Sequence, residues 1–278
     1  MSLIRKFTDF NNLKISYQDN ELDKEVIFVT HANGFSGSCY MYLYRYFGDK
    51  YRWIFLDFVG HSYSEPSLDF KDWNYFRDQI FEIIKKENIN NIIAIGHSLG
   101  GASLALSAKY EKQYFKKLLL LDPTLLSITT NFLGKVIGNY MADNAIKRRR
   151  DFKSKDQIKK IFKRIPSFSN WEESVFNDYL QSCFKDIENG VELSCPPEVE
   201  SKIFSTNPIF FSLNYKNLDV STKIIIPRKS TVCSESAAKK LIGNTADSSI
   251  KILENENHFF PFEKPNIVIK ELENFING

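Results

Sequence analysis

A serine lies between two glycines in the segment 96–100, Gly-His-Ser-Leu-Gly, which follows a short apolar run and precedes a helical pattern. The run Ile92–Ile95 has the length and composition of a buried strand, and Ala102–Tyr110 has the pattern of a helix. A serine on so tight a turn has a strained backbone and an exposed hydroxyl, because flanking glycines leave room for the chain. That hydroxyl can attack a carbonyl carbon, and Ser98 is therefore the candidate nucleophile.

Hydrophobic patterning predicts the strands and helices that must hold this turn in place. Strands are predicted over Leu3–Thr8, Leu13–Gln18, Val26–Thr30, Trp53–Phe58, Ile92–Ile95, Lys117–Leu121, Lys223–Ile226 and Ser249–Leu253. Helices are predicted over Asp72–Lys86, Ala102–Tyr110, Asn139–Arg150, Ser154–Lys163, Trp171–Phe184, Ser234–Ile242 and a closing segment from Pro265. Strands that alternate with helices are typical of an α/β protein.

The glycine-flanked serine in its strand-turn-helix context resembles the nucleophile elbow of the α/β-hydrolase superfamily, in the branch that uses serine and has a helical cap. The resemblance extends over nearly the whole chain. It implies an α/β fold with a mostly parallel eight-stranded sheet flanked by helices. It also implies a core formed by residues 1–122 and 223–278, with a helical cap inserted after strand 6 over residues 123–222, where no parallel-strand pattern is present.

The same resemblance indicates where the base and the acid lie. Ser98 needs a base to take its proton, and the family delivers a histidine from the loop after the last strand, where this chain has His258. Most members have their acid after the strand before it, but Ser230 stands at that position, and a neutral hydroxyl cannot stabilise an imidazolium as a carboxylate does. A minority takes the acid from one strand earlier, which predicts Asp122 as the acid and leaves Glu235 as the alternative.

The other histidines are predicted to be structural. Asp57 and His61 look like an acid and a base, but both precede Ser98, whereas the family presents nucleophile, acid and base in that order. His31 is expected to tie its loop by hydrogen bonds. His97 adjoins Ser98 on a turn, where its ring is expected to face away from the hydroxyl.

By resemblance, two backbone amides hold the oxyanion that forms during acyl transfer, and they belong to Phe35 and Leu99. The loop that contains Phe35 has Asn33-Gly34 where the family usually has His-Gly. The identity of the first donor therefore stays open by one residue.

A serine nucleophile implies an acyl-enzyme, so the predicted function is hydrolysis of an ester-type acyl bond, as in a carboxylesterase or a lysophospholipase-like enzyme. The same triad would serve a thioesterase, a carbon–carbon bond hydrolase or a cofactor-free lyase, and a non-catalytic ligand-binding protein of this fold is a further alternative. No cofactor or metal is predicted, because the glycines match no nucleotide motif and the four cysteines have no metal spacing.

The formal net charge of +3 is unevenly distributed, since residues 147–164 contain ten Lys and Arg against two Asp. Most of this run is predicted to be a solvated helical face. The sharper hypothesis is that Arg149 and Arg150, among the three arginines at 148–150, hold an anionic group of the substrate. One short basic patch without a recognised module does not favour nucleic acid as a partner.

The remaining expectations concern location. The first ten residues contain no apolar signal segment, and no apolar run in the 278 residues has the length of a membrane span. A soluble, cytoplasmic protein without stable membrane insertion is therefore predicted, whose partner is a small acyl substrate. The oligomeric state is not predicted.

Overall fold

Eight strands form one sheet in the computed structural model of the chain, which describes residues 2–125, 131–206 and 217–278. Across the sheet the order is β1-β2-β4-β3-β5-β6-β10-β11. Only the β1–β2 and β2–β4 pairs within it are antiparallel. The strands are β1 (Ile4–Phe10), β2 (Leu13–Asp19), β3 (Val26–Thr30), β4 (Arg52–Leu56), β5 (Ile92–His97), β6 (Phe115–Leu121), β7 (Asp151–Phe152), β8 (Phe184–Ile187), β9 (Gly190–Leu193), β10 (Ser221–Pro227) and β11 (Ser249–Leu253).

Helices connect these strands. They are α1 (Met41–Phe47), α2 (Asn74–Lys86), α3 (Leu99–Tyr110), α4 (Asn131–Ile146), α5 (Lys155–Phe162), α6 (Pro166–Ser169), α7 (Glu173–Ser182), α8 (Pro197–Ser205), α9 (Glu235–Ile242), α10 (Phe260–Glu263) and α11 (Pro265–Asn277). None of these described helices is long and apolar enough to cross a membrane.

The sheet is buried on both faces because its central strands are apolar at successive positions. In β5, Ile92 and Ala94 belong to one hydrophobic cluster and Ile93 and Ile95 to the other, as the alternation of side chains along a strand requires. The buried faces of α2, α3 and α9 pack in the first cluster, and those of α1 and α11 in the second. The central strands are thereby fixed, and their carboxyl ends open at one edge of the sheet.

The predicted mostly parallel eight-stranded sheet flanked by helices is confirmed, with all eight strands found within a few residues of their predicted bounds. Helix α4 begins at Asn131, eight residues before the predicted start at Asn139. The pattern does not predict α1, whose seven residues span only two turns.

The chain between β6 and β10, here called the insertion, is not purely helical as predicted. Besides α4 to α8 it contains an antiparallel sheet in the order β7-β9-β8. Its strands have two to four residues, too few for periodicity to identify. The predicted cap range 123–222 includes residues 126–130 and 207–216, which lie outside the described residues, and β10 already begins at Ser221.

Candidate active site

The turn between β5 and α3 holds Ser98 in a strained backbone conformation, with φ of 54° and ψ of −114°. The Ser98 amide donates to the Leu121 carbonyl of β6 at 3.0 Å, which anchors the turn at the carboxyl edge of the sheet. A methyl group on Gly96 would come within 2.7 Å of the Gly100 backbone, and one on Gly100 within 2.6 Å of the Thr30 backbone. Only glycine fits at both positions, so the geometry of the turn follows directly from its sequence.

The register of the sheet places Asp122 beside Ser98, and Asp122 in turn contacts His258. His97 of β5 pairs with Leu121 of β6, so the residues that follow them lie side by side. The Asp122 carboxylate is fully buried, and its Oδ2 lies 2.7 Å from Nδ1 of His258, which comes from the loop after β11. A carboxylate there fixes the tautomer with hydrogen on Nδ1 and leaves Nε2 free to accept a proton.

Ser230, at the position where the family usually has its acid, contacts the acid instead. Its Oγ accepts hydrogen bonds from the amides of Val232 at 3.2 Å and Cys233 at 3.0 Å, and lies 2.6 Å from Asp122 Oδ1. A hydroxyl has one hydrogen, so Ser230 donates to the carboxylate. Both oxygens of Asp122 are thus engaged, one by Ser230 and the other by His258.

Sequence reasoning missed Thr124, which contacts the candidate nucleophile. Its Oγ1 lies 3.3 Å from Ser98 Oγ, and its amide donates to the Ser98 carbonyl at 3.2 Å. Among the described residues Ser98 Oγ is bonded to Thr124 and not to His258, although Ser98 and His258 line the same cavity. The signal that could have found Thr124 is its place just beyond the end of β6, two residues after Asp122.

The predicted first oxyanion donor, Phe35, does not fit that role. Its amide already donates to the Ala32 carbonyl at 3.2 Å, and the Gly34 amide donates to His61 Nε2 at 2.9 Å. Within the described residues the amides of Asn33 and Leu99 have no hydrogen-bond acceptor, and both residues line the cavity beside Ser98. The available pair of donors is therefore Asn33 and Leu99, two residues from the predicted position in the first loop.

His31 and His61 tie this loop, as expected. His31 Nε2 accepts from the Phe58 amide at 2.9 Å, and the Nδ1 of His61 lies 3.0 Å from the Val59 carbonyl. Burial lowers the pKa of His31 to about 4 and that of His61 to about 3, so both rings are neutral at pH 7.

Asp57 is also structural. The Gly37 amide and the Arg5 guanidinium donate to this carboxylate at 3.0 and 2.9 Å. The acid and the base that precede Ser98 are therefore both engaged in structural hydrogen bonds. This agrees with the family order of nucleophile, acid and base along the chain.

His97 supports the backbone of His258, which the sequence did not indicate. The Nε2 of this fully buried ring lies 3.0 Å from the His258 carbonyl, and the Tyr40 hydroxyl lies 2.7 Å from its Nδ1. Because a carbonyl only accepts, Nε2 carries the hydrogen and Tyr40 donates to Nδ1. Burial and the nearby His258 hold the pKa of His97 well below its ordinary value, so this arrangement persists at neutral pH.

The alternative acid Glu235 lies away from the site. It is exposed at the start of α9 and pairs with Lys239 at 2.7 Å and Arg228 at 3.5 Å. Neither contact reaches His258, which leaves Asp122 as the carboxylate beside the imidazole.

The two arginines predicted to bind substrate have different surroundings in the structure. Arg150 pairs with Glu192 at 3.0 Å outside the cavity lining, so the structure does not bring it to the candidate site. Arg149 belongs to the lining but is exposed, with its guanidinium 4.8 Å from the centre of the Phe152 ring and its Nε bonded to a backbone carbonyl. The arginine that points beneath the insertion is Arg148.

A cavity of about 720 Å³ lies between the sheet edge and the insertion, and both Ser98 and His258 line it. Its lining is mostly apolar, with contributions from Trp73, Met141, Phe152, Ile161, Phe162, Ile165, Phe168, Ile203, Phe204, Val232 and Phe259. The size and the lining are typical of a small-molecule site. Across the described residues, no group of three or more His, Cys, Asp and Glu side chains could hold a metal ion.

A mostly parallel sheet whose central strand ends in a glycine-flanked, strained serine turn is the architecture of an α/β hydrolase. The chain belongs to the alpha/beta hydrolase family, whose model matches residues 26–270. It is similar to "Putative esterase/lipase 3" of Mycoplasma genitalium, at 25% identity over 270 residues that cover 92% of this chain and 91% of that protein. "Putative esterase/lipase 2" of the same organism is 32% identical over 103 residues, which cover 36% of this chain and only 38% of that protein.

Solved structures share the fold. The crystal structure of E-2-(acetamidomethylene)succinate hydrolase has a TM-score of 0.82 at 15% identity and full coverage of both chains. The esterase EaEST of Exiguobacterium antarcticum has a TM-score of 0.70 at 15% identity, covering 99% of this chain and all of that one. At these identities the likeness establishes the fold and leaves the substrate open.

Proposed function

We propose that this chain is a serine hydrolase that cleaves an ester-type acyl bond through an acyl-enzyme intermediate. Ser98 is the nucleophile, His258 the general base and Asp122 the acid that orients it. The observation that carries the proposal is the 2.7 Å contact between the buried Asp122 carboxylate and His258 Nδ1, in a cavity that Ser98 also lines. The esterase names of the Mycoplasma relatives agree with it.

Acylation begins when Ser98 Oγ turns from Thr124 toward His258 and attacks the carbonyl carbon of the substrate. The hydroxyl proton passes to His258 Nε2, and Asp122 stabilises the imidazolium that forms. The carbonyl oxygen becomes an oxyanion, which the amides of Asn33 and Leu99 hold. When the tetrahedral intermediate collapses, the bond to the leaving alcohol breaks and the alcohol takes the proton from His258.

Deacylation repeats these steps with water. His258 takes a proton from a water molecule as its oxygen attacks the acyl carbon, and the second oxyanion is held by the same two amides. Collapse releases the carboxylic acid and returns the proton to Ser98 Oγ. The chain supplies every group that this cycle uses.

The insertion acts as a cap in this proposal. Side chains of the insertion form most of the apolar lining, so the groups on either side of the ester bond contact them. An apolar enclosure also excludes water from the reacting groups, which strengthens the electrostatic interactions among them. The cap therefore selects the substrate while the sheet edge supplies the chemistry.

Covalent labelling with a fluorophosphonate probe tests the proposal, since the probe reacts with an activated serine. We expect labelling of the wild type, its loss in Ser98→Ala and a strong reduction in His258→Ala. Ser169→Ala is the matched control, because Ser169 is exposed in the insertion and does not line the cavity. An unlabelled wild type, or labelling that survives in Ser98→Ala, would contradict the proposal.

Two further measurements test the reaction class and the oxyanion donors. A panel of p-nitrophenyl esters, acyl-CoA thioesters and β-diketones separates an esterase from a thioesterase or a carbon–carbon bond hydrolase with the same triad. A structure with a covalently bound phosphonate should have its free oxygen about 2.7–3.1 Å from the amides of Asn33 and Leu99. An oxygen bonded to the Phe35 amide instead would contradict the assignment of donors.

A further inference from the structure

An ion pair between Arg148 and Glu200 lies in the wall of the apolar cavity. The guanidinium Nη1 contacts Glu200 Oε2, and Nη2 lies 3.4 Å from the Tyr179 hydroxyl. The two side chains are 25% and 9% exposed, and both residues line the cavity. Burying two charges in an apolar wall costs free energy unless each charge compensates the other.

The pair lies beside the reacting centre. A methyl group on Gly34 would come within 2.8 Å of Glu200 Oε1 and 3.2 Å of Arg148 Nη1, so both charges rest on the loop that carries the proposed oxyanion donor. The Asn33 side chain also donates to the Glu200 carbonyl at 3.0 Å. A substrate group bonded to the scissile carbonyl would therefore meet this part of the wall.

Each charge of the pair removes the attraction that the other would exert. A substrate carboxylate near Arg148 would also lie near Glu200, which would repel it. A substrate cation near Glu200 would likewise be repelled by Arg148. Around the pair the lining is mostly apolar, so a charged group that enters would lose its hydration without gaining a free partner.

We propose that the Arg148–Glu200 pair determines specificity, by keeping the wall next to the ester bond electrically neutral so that the site takes uncharged acyl groups and rejects anionic ones. This inference rests on the proposed function. It replaces the expectation that an arginine of the 148–150 run attracts an anionic substrate. Arg149, the other arginine of the lining, is exposed and its charge is screened by solvent and salt.

The test compares two esters of the same shape that differ in charge, p-nitrophenyl 5-methylhexanoate and mono-p-nitrophenyl glutarate. We expect the wild type to prefer the neutral ester by about 100-fold in kcat/KM. Glu200→Gln leaves Arg148 without its counter-charge and should narrow that preference at least about tenfold by raising turnover of the glutarate ester. Glu192→Gln is the matched control, since it removes the same charge from an Arg–Glu pair of the insertion outside the cavity.

Glu200→Gln leaves a cation unpaired, which favours misfolding. A second variant therefore keeps the inference testable if Glu200→Gln does not fold. The double variant Arg148→Met, Glu200→Gln has no charge at this wall and should keep the wild-type preference. Glutarate turnover by the wild type equal to that of the neutral ester would overturn the inference, as would an unchanged preference in folded Glu200→Gln. If the fluorophosphonate still labels Ser98 in that event, only the specificity inference fails. A wild type that neither labels nor cleaves either ester would overturn the proposed function, and this inference with it.

Discussion

The residue beside the His258 imidazole is Asp122, and Ser230 stands where most of the family has its acid. The two positions are not independent, because the Ser230 hydroxyl donates to Asp122 at 2.6 Å while His258 contacts the other carboxylate oxygen at 2.7 Å. The loop after β10 thus has the polar Ser230 where the family usually has its acid. The Ser230 hydroxyl fixes the orientation of the Asp122 carboxylate, which follows β6. A buried carboxylate with both oxygens engaged has one orientation, which in turn sets the orientation of the imidazole.

Replacing Asp122 by asparagine tests the role of this carboxylate. An amide keeps the shape but cannot stabilise the imidazolium, and it permits the wrong tautomer of His258. We expect kcat on a p-nitrophenyl ester to fall by about 10³- to 10⁴-fold. The control Glu235→Gln makes the same chemical change on an exposed carboxylate and should leave kcat unchanged. Full turnover by Asp122→Asn would remove Asp122 from the mechanism.

Ser230→Ala is the second prediction. It removes one hydrogen bond to a buried charge, which should lower kcat about tenfold while KM changes little. Ser230→Thr keeps the hydroxyl and should restore most of the loss. Because Ser230 also accepts from two loop amides, a double-mutant cycle is needed to separate the roles. Ser230→Ala should have almost no further effect on kcat in the Asp122→Asn background, and an equal loss in both backgrounds would indicate a structural role alone.

Among the elements, the turn between β5 and α3 stores strain at the nucleophile. Ser98 has φ of 54° and ψ of −114°, a region that a residue with a Cβ seldom occupies. The next strand end is unusual as well, since Asp122 has φ of 40°. Two neighbouring strand ends with positive φ hold both side chains at the sheet edge, at a cost in stability that the rest of the fold must offset.

This strain predicts that Ser98→Gly is more stable than Ser98→Ala. Glycine relaxes at positive φ, whereas alanine keeps the Cβ and therefore the strain. We expect a difference of about 1 kcal/mol in the free energy of unfolding, after the entropic cost of glycine is included. Urea denaturation of the two inactive variants at pH 7 measures it, and equal midpoints would show that the turn is not strained.

At the scale of the whole molecule, three fully buried neutral histidines make stability depend on pH. Burial lowers the pKa of His31 to about 4 and of His61 to about 3, and it holds that of His97 well below its ordinary value of 6.5. In the unfolded chain these groups take up protons below about pH 6.5, while the folded protein does not. The unfolded state then binds more protons, so stability is complete above that pH and falls as the pH decreases toward 4.

The expected slope is about 1.4 kcal/mol per pH unit for each histidine in that range. Asp57 and Asp178, whose pKa values burial raises, act in the opposite direction, but they are two groups against three histidines. Urea denaturation between pH 7 and pH 4.5 measures the slope. His31→Gln removes one titrating group and should flatten the curve whatever its effect on absolute stability, so an unchanged slope would contradict the prediction.

The basic run at 147–164 also has a whole-molecule explanation. Five of its ten cations pair with four carboxylates of the insertion itself, in the pairs Arg148–Glu200, Arg150–Glu192, Lys155–Asp186, Lys159–Glu173 and Lys163–Glu173. Four of these five ion pairs lie on the surface. The prediction of a solvated face therefore describes most of residues 147–164. Only the Arg148–Glu200 pair reaches the cavity.

The amino-acid pattern predicted the eight strands of the large sheet, most of the helices that cover it and the turn that holds Ser98. These features depend on local patterns, namely apolar runs, helical periodicity and glycines that no other residue could replace at the turn. The resemblance to the family also indicated Asp122 and His258, although their roles stay predictions. Patterns of this kind act over a few residues and can be read along the chain.

The packing of separate elements determines which side chains meet across long separations. Ser230 contacts Asp122 across 108 residues, and Asn33 contacts the Glu200 carbonyl across 167. The support of His258 by His97 and the pairing of Arg148 with Glu200 also follow from such contacts. No periodicity encodes them, because they arise only when separate elements are packed and each buried polar group must find a partner.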